Sequence, residues 1–146
     1  MISTSDVSKA KHLIKNSKEK PIIIEAQDIK FNRKMLEYGK FDILLNIEKT
    51  KPNKKDKPKQ LDSGLNHVLA KLSAKNKVFL GIDLEEIRSL EKKEKAKRLS
   101  YIKQNIKIAR KAKTNLILIN YKDKLNAQSL LLSLHASTSQ SKQSTH

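Results

Sequence analysis

The side chains that usually perform metal or nucleophilic chemistry are sparse in this 146-residue chain. It has no cysteine, which removes thiolate nucleophiles, disulfides and cysteine zinc sites together. Histidines stand at His12, His67, His135 and His146, without His-x-His or His-Glu-x-x-His spacing. A metallo-phosphoesterase would have to bring Asp28, Asp42, Asp62, His67 and Asp83 together from separate segments near strand ends. With glycine at only Gly39, Gly64 and Gly81, neither a dinucleotide-type nor a P-loop-type phosphate cradle can be written. Ser63 lacks the G-x-S-x-G turn of a hydrolase nucleophile and reads as a helix-capping hydroxyl. His67, next to apolar Val68, reads as a core-edge histidine.

What the sequence does offer is cationic charge. Lys and Arg number 32 against 15 Asp and Glu, a formal charge of +17, and all but Arg33, Arg88, Arg98 and Arg110 of the basic residues are lysine. Two zones concentrate it. From Lys92 to Lys113 there are ten basic residues and one acid, Glu94. Residues 49–60 (KTKPNKKDKPKQ) carry six lysines, one aspartate and two prolines. Like charges packed within a Debye length of about 8 Å repel one another unless a polyanion neutralises them. RNA or DNA phosphates are therefore the expected partner, and a solvated lysine face is the alternative. With three Tyr, three Phe and no Trp, none in an RNP-like strand, stacking of bases on a sheet is not expected.

These residues must be positioned by alternating elements. Val7, Ala10, Leu13 and Ile14 predict a helix over 6–18 capped by Ser3 or Ser5. PIIIEA from Pro21 predicts a strand buried on both faces, FNRKMLEYG a helical turn or two closing at Gly39, and 41–47 a second strand. Residues 49–60 form an exposed basic loop. Asp62 or Ser63 caps a helix through Leu65, Val68, Leu69 and Leu72 that ends at Asn76. Residues 78–84 are the third strand, 85–113 are largely helical with Leu99, Ile102, Ile106 and Ala109 inward, and NLILIN is the fourth strand. A last apolar helix starts near 125, within a single domain of 1–135, and 136–146 form a short capped turn or a fraying tail. This order predicts an α/β fold with about four parallel strands, an open sheet or part of a barrel. The longest apolar runs fall far short of the roughly 20 residues of a membrane span, and the amino terminus lacks the apolar stretch of a secretory signal.

In the run LDSGLNHVLAKLSAKNKVFLGIDL followed by KRLSYIKQNIKIARKAKTNLILIN, the chain resembles ribonuclease P protein component 3, the p30-type subunit of archaea and eukaryotes. The resemblance spans roughly 21–135. It rests on Asp62, Ser63, Gly64 and Asn66 opening a helix, on Asn105, Ala109 and Arg110 ahead of the fourth strand, and on Asn32, Arg33 and Lys34. It implies a distorted TIM-like barrel related to the PHP phosphoesterases without their metal ligands, here shortened at its start, so that an open sheet edge needs covering by the first helix, a partner or another copy. It further implies a protein subunit of the ribonucleoprotein endonuclease that removes the 5′ leader of precursor tRNA. In that enzyme the RNA performs the hydrolysis and requires Mg²⁺, while the protein binds no cofactor of its own. Expected partners are ribonuclease P RNA, precursor tRNA, protein component 2 and the other protein subunits, with self-association also open; the expected location is the cytoplasm, or the nucleus in a eukaryote. A general RNA-binding or ribosome-associated protein is the competing reading. The residues expected to meet RNA are Arg33, Lys34, Lys54, Lys55, Lys57, Lys59, Arg98, Lys103, Lys107, Arg110 and Lys111.

Overall fold

A computed structural model describes residues 1–50 and 62–145. Helix α1 (Val7–Asn16) leads to β1 (Ile23–Glu25), α2 (Ile29–Tyr38) to β2 (Ile43–Leu45), and a 3₁₀ turn (Ile47–Lys49) follows. Helix α3 (His67–Asn76) then precedes β3 (Phe79–Asp83), α4 (Leu84–Arg88) and α5 (Lys92–Ala112) precede β4 (Leu116–Ile119), and α6 (Lys124–Ser133) and α7 (Thr138–Gln143) finish the chain. All four strands are parallel and lie in the order β1-β2-β3-β4. This is the predicted α/β architecture, and the strictly sequential order is that of an arc of a (β/α) barrel rather than of a doubly wound sheet. Among the described residues no helix is long and apolar enough to cross a membrane.

One face of the sheet carries the core. Ile24, Leu44, Leu80 and Leu116 stand side by side across the four strands, and Ile82 and Leu118 continue the row. Against them pack Ala10 and Ile14 of α1, Phe31, Met35 and Leu36 of α2, Leu69 and Ala70 of α3, and Ile102, Ile106 and Ala109 of α5. Each large side chain so buried contributes about 1.5–3 kcal/mol. On the other face Ile43 and Leu45 lean across Gly81, where an added Cβ would lie 2.7 Å from Ile43 Cγ2.

The helix ends correct several expectations. Helix α1 is capped by Asp6, which accepts from the amides of Ser8 and Lys9, and not by Ser3 or Ser5. Helix α2 runs ten residues, longer than the turn or two read from FNRKMLEYG, and closes at Gly39 (φ 65°) as expected. Helix α3 is capped by Asn66 rather than Asp62 or Ser63, because Gly64 (φ 78°) turns the chain away from helix before it. Val68 is consequently 53% exposed, and His67, in the first turn, is an exposed residue rather than a core-edge one. The stretch 85–113 is two helices broken at Ser89–Glu91, the first capped by Asp83. In the carboxy-terminal segment Ser137 and Gln140 make a reciprocal capping box ahead of α7, and Ser141, Ser144 and Thr145 are buried.

The sheet edges are occupied by the chain's own ends. The Ile2 amide donates to the Ile23 carbonyl (2.8 Å) and Glu25 donates back to Ile2 (2.9 Å), which lines the β1 edge. At the other edge the Leu118 amide donates to the Ser144 carbonyl (2.8 Å). Ile2 thus pairs with part of the β1 edge and Ser144 with one residue of the β4 edge.

Two substitutions test these backbone constraints. Helix α5 ends on Lys113 at φ 58°, a conformation that costs a side-chain-bearing residue about 1 kcal/mol, so Lys113→Gly is expected to raise stability by about that amount in urea unfolding. Gly64→Ala is expected to destabilise by more than about 2 kcal/mol, because its φ is positive and the new Cβ would collide with the Ile47 carbonyl oxygen.

Candidate nucleic-acid interface and the buried ion-pair network

Helices α1, α2, α3 and α5 lie next to one another, α2 packing on α1 and α3, and α3 on α5. Their inner residues meet the sheet, so their lysines face outward. Along α5, Lys103, Lys107 and Lys111 are exposed at intervals of one turn, about 6 Å apart. Lys71 and Lys75 of α3 and Lys30, Arg33 and Lys34 of α2 extend the exposed set. The acids within these four helices are Glu37 and Glu94. Glu37 pairs with Arg33 (3.1 Å) at the surface, an interaction worth little in water. Arg110 is exposed and donates to the His135 carbonyl (3.0 Å), which ties the end of α5 to the segment after α6. Lys54, Lys55, Lys57 and Lys59 lie outside the described residues.

Arg98 does not belong to this surface. It is 8% exposed, and its guanidinium donates to Glu48 (2.8 Å) and lies 3.5 Å from Glu86. It occupies the inner stripe of α5, four residues before Ile102, where a long cation can stay charged only with an acid opposite it. Lys49 joins from the exposed side, 2.7 Å from Glu86 and 3.7 Å from Glu25. Asn46, in the left-handed region at φ 61°, donates to Glu86 (2.9 Å) and accepts from the Asp83 amide (3.3 Å). The network thus gathers groups from the carboxyl ends of β1, β2 and β3. Burial pushes the Glu48 carboxyl above the ordinary 4.5, against the lowering effect of the Arg98 hydrogen bond and charge.

Of the residues that carried the resemblance, Ser63, Asn105 and Asn32 hold the scaffold. Buried Ser63 accepts from Gln104 Nε2 (2.8 Å) through its hydroxyl and from Asn105 Nδ2 (3.1 Å) through its carbonyl, so the Asp62-Ser63-Gly64 turn is fastened to α5. Asn32, fully buried, accepts from the Gln27 amide (2.8 Å) and donates to the Thr50 hydroxyl (3.0 Å). Ser63, Asn105 and Asn32 touch no open surface and serve to fix the turns beside α2 and α5.

The carboxylates of the metallo-phosphoesterase reading do not converge. Asp28 and Asp83 are helix caps, Asp42 accepts from the Ile22 amide (2.6 Å) at the amino end of β2, and Asp83 lies at the opposite, carboxyl end of β3. Among the described residues no three His, Asp or Glu are grouped so as to hold a metal ion.

Removing one member of the buried pair isolates its effect. Arg98→Met is expected to cost about 3–5 kcal/mol, since it strands Glu48 without a counter-charge, and Arg98→Met with Glu48→Leu is expected to recover most of that loss in denaturant titration. A carboxyl whose folded pKa lies above its unfolded value stabilises the fold while protonated and loses that contribution as pH rises through the folded value. The stability difference between the parent chain and Glu48→Gln is therefore expected to move in favour of Gln as pH rises above the ordinary carboxyl value of 4.5.

No protein-family model matches the chain. Sequence comparison finds ribonuclease P protein component 3 of Methanococcus maripaludis strain C7, 28% identical over 119 residues, which are 80% of this chain and 47% of that relative. The counterpart of Methanococcus vannielii is 30% identical over 97 residues, 66% of this chain and 38% of the relative. That of Methanocaldococcus jannaschii is 30% identical over 90 residues, 62% and 35% respectively. The chain spans about half the length of the curated relatives it matches. In fold it superposes on a chain of the cryo-EM structure of archaeal ribonuclease P with mature tRNA, with a TM-score of 0.73 at 23% identity, over 97% of this chain and 61% of that one. Along four-fifths of its length the chain is thus similar to ribonuclease P protein component 3 of Methanococcus maripaludis, the family that the residues from Asp62 to Arg110 resemble.

Proposed function

We propose that this chain acts as a protein subunit of ribonuclease P and supports removal of the 5′ leader from precursor tRNA by neutralising phosphates of the catalytic RNA. The observation that carries the reading is the outward cationic surface of α2, α3 and α5, centred on Lys103, Lys107 and Lys111. Similarity to ribonuclease P protein component 3 supports the choice of RNA as the polyanion. In this reading the RNA performs the hydrolysis and recruits the Mg²⁺, and the lysines lower the Mg²⁺ needed by screening phosphates as the RNA folds. Arg33, Lys34, Arg110 and the lysines of residues 51–59 extend the RNA-facing set, and Arg98 acts from within by holding α5 in place. Protein component 2 and the remaining protein subunits complete the particle, which works in the cytoplasm or, in a eukaryote, the nucleus.

The test is precursor-tRNA cleavage by the cognate RNA and remaining subunits at limiting Mg²⁺, with and without this chain. Stimulation is expected, and it should fall at least tenfold when Lys103, Lys107 and Lys111 are all changed to Gln. The same triple variant should bind the RNA with a log–log salt slope shallower by about 2–3, because each lysine neutralises about one phosphate. Unaltered stimulation by the triple variant, or equal affinity for unrelated RNAs with no stimulation, would favour a general RNA binder.

A further inference from the structure

Helices α4, α5 and α6, with the turn ahead of α6, line a groove of about 400 Å³. Its floor is apolar: Leu84 and Ile87 of α4, Leu99 of α5, and Ala127 and Leu130 of α6. Its rim is basic, formed by Lys95, Lys122 and Arg88, whose guanidinium also donates to the Asn120 (2.7 Å) and Leu84 (3.4 Å) carbonyls. Asp123, the acid at the rim, is engaged as the cap of α6, accepting from the amides of Leu125 (2.8 Å) and Asn126 (3.2 Å). Tyr121, one wall, is fixed by donating its hydroxyl proton to the Thr145 carbonyl (2.8 Å). On the same helix Leu125 is 73% exposed and Leu132 47%, so α6 presents leucine outside the groove as well.

An apolar floor offers nothing to phosphates, and the helix that supplies Ala127 and Leu130 to it also exposes Leu125 and Leu132. We propose that the groove between α5 and α6 docks an acidic amphipathic segment of a partner protein, whose apolar side chains fill the floor while its carboxylates meet Arg88, Lys95 and Lys122. The pattern is that of a helix laid into a groove, with charge complementarity setting its preference. The groove shares α5 with the proposed RNA surface but uses Lys95 and Leu99 near its start, about two turns and one turn ahead of Lys103, so that the two sites can be occupied together.

The probe is a fluorescein-labelled helical peptide of about 14 residues with leucines at i, i+3, i+4 and i+7 and glutamate elsewhere, compared with its lysine counterpart and with a leucine-free glutamate peptide. Fluorescence anisotropy should show the Leu/Glu peptide binding at least tenfold tighter than either control. Leu130→Glu should weaken it at least tenfold, and Lys122→Glu, at an exposed position where folding is unaffected, should weaken it severalfold. Ribonuclease P RNA should leave it bound. Absence of binding, equal binding of the leucine-free peptide, indifference to both substitutions, or displacement by the RNA would each overturn the proposal.

Discussion

The ion pair between Arg98 and Glu48 is the constraint on which the arrangement of this molecule rests. Helix α5 is the longest element, and its cationic outer surface requires an inner surface that locks it to the sheet. Ile102, Ile106 and Ala109 supply apolar packing, which is nondirectional and permits sliding. The guanidinium of Arg98 supplies direction: it must reach the acid after β2, and Glu86 and Lys49 bring the ends of β3 and β1 to the same place. A buried pair of this kind gains little over an apolar substitute in total stability. Its value here is positional, because α5 cannot slide or rotate without leaving both charges unpaired in a dry environment.

That restraint separates two surfaces of opposite character. The sheet and the inner faces of the helices are apolar, while the outer faces of α1, α2, α3 and α5 carry lysines with few acids among them. Such a layer repels itself, and the folded chain tolerates it because the core beneath is continuous from Ala10 to Leu118. The same charge that costs stability in isolation becomes favourable against a polyanion, which couples the chain's stability to occupancy of its surface. Among the described residues, Glu25, Asn46, Glu48 and Glu86, at or just beyond the carboxyl ends of β1, β2 and β3, are held by one another and by Arg98 and Lys49.

Much of this was legible in the sequence where local physics decides. The four short apolar runs became the four strands, sequential and parallel, and Gly39 closed α2 as its φ requires. Elements set by distant neighbours were not legible. Asn66 took the cap because Gly64 is pressed against the Ile47 carbonyl, far back in the chain. The edges were paired in part by Ile2 and Ser144, single hydrogen-bonded residues that no periodicity marks. Arg98 reads as a surface cation when the inner stripe of α5 is traced through its apolar residues alone. Its spacing of four from Ile102 and of seven from Asn105 put it on that stripe, and this signal, taken together with the isolated acid Glu48, could have identified the pair.

In the proposed function, Lys103, Lys107 and Lys111, with Lys71, Lys75, Lys30 and Lys34 beside them, form the surface that meets RNA. Amine footprinting of lysines by mass spectrometry, on the free chain and on its complex with ribonuclease P RNA, tests this most directly. Selective protection of these lysines, with Lys122 and Lys142 unprotected, is the predicted result. Protection spread evenly over all exposed lysines, or confined to positions outside α2, α3 and α5, would contradict it.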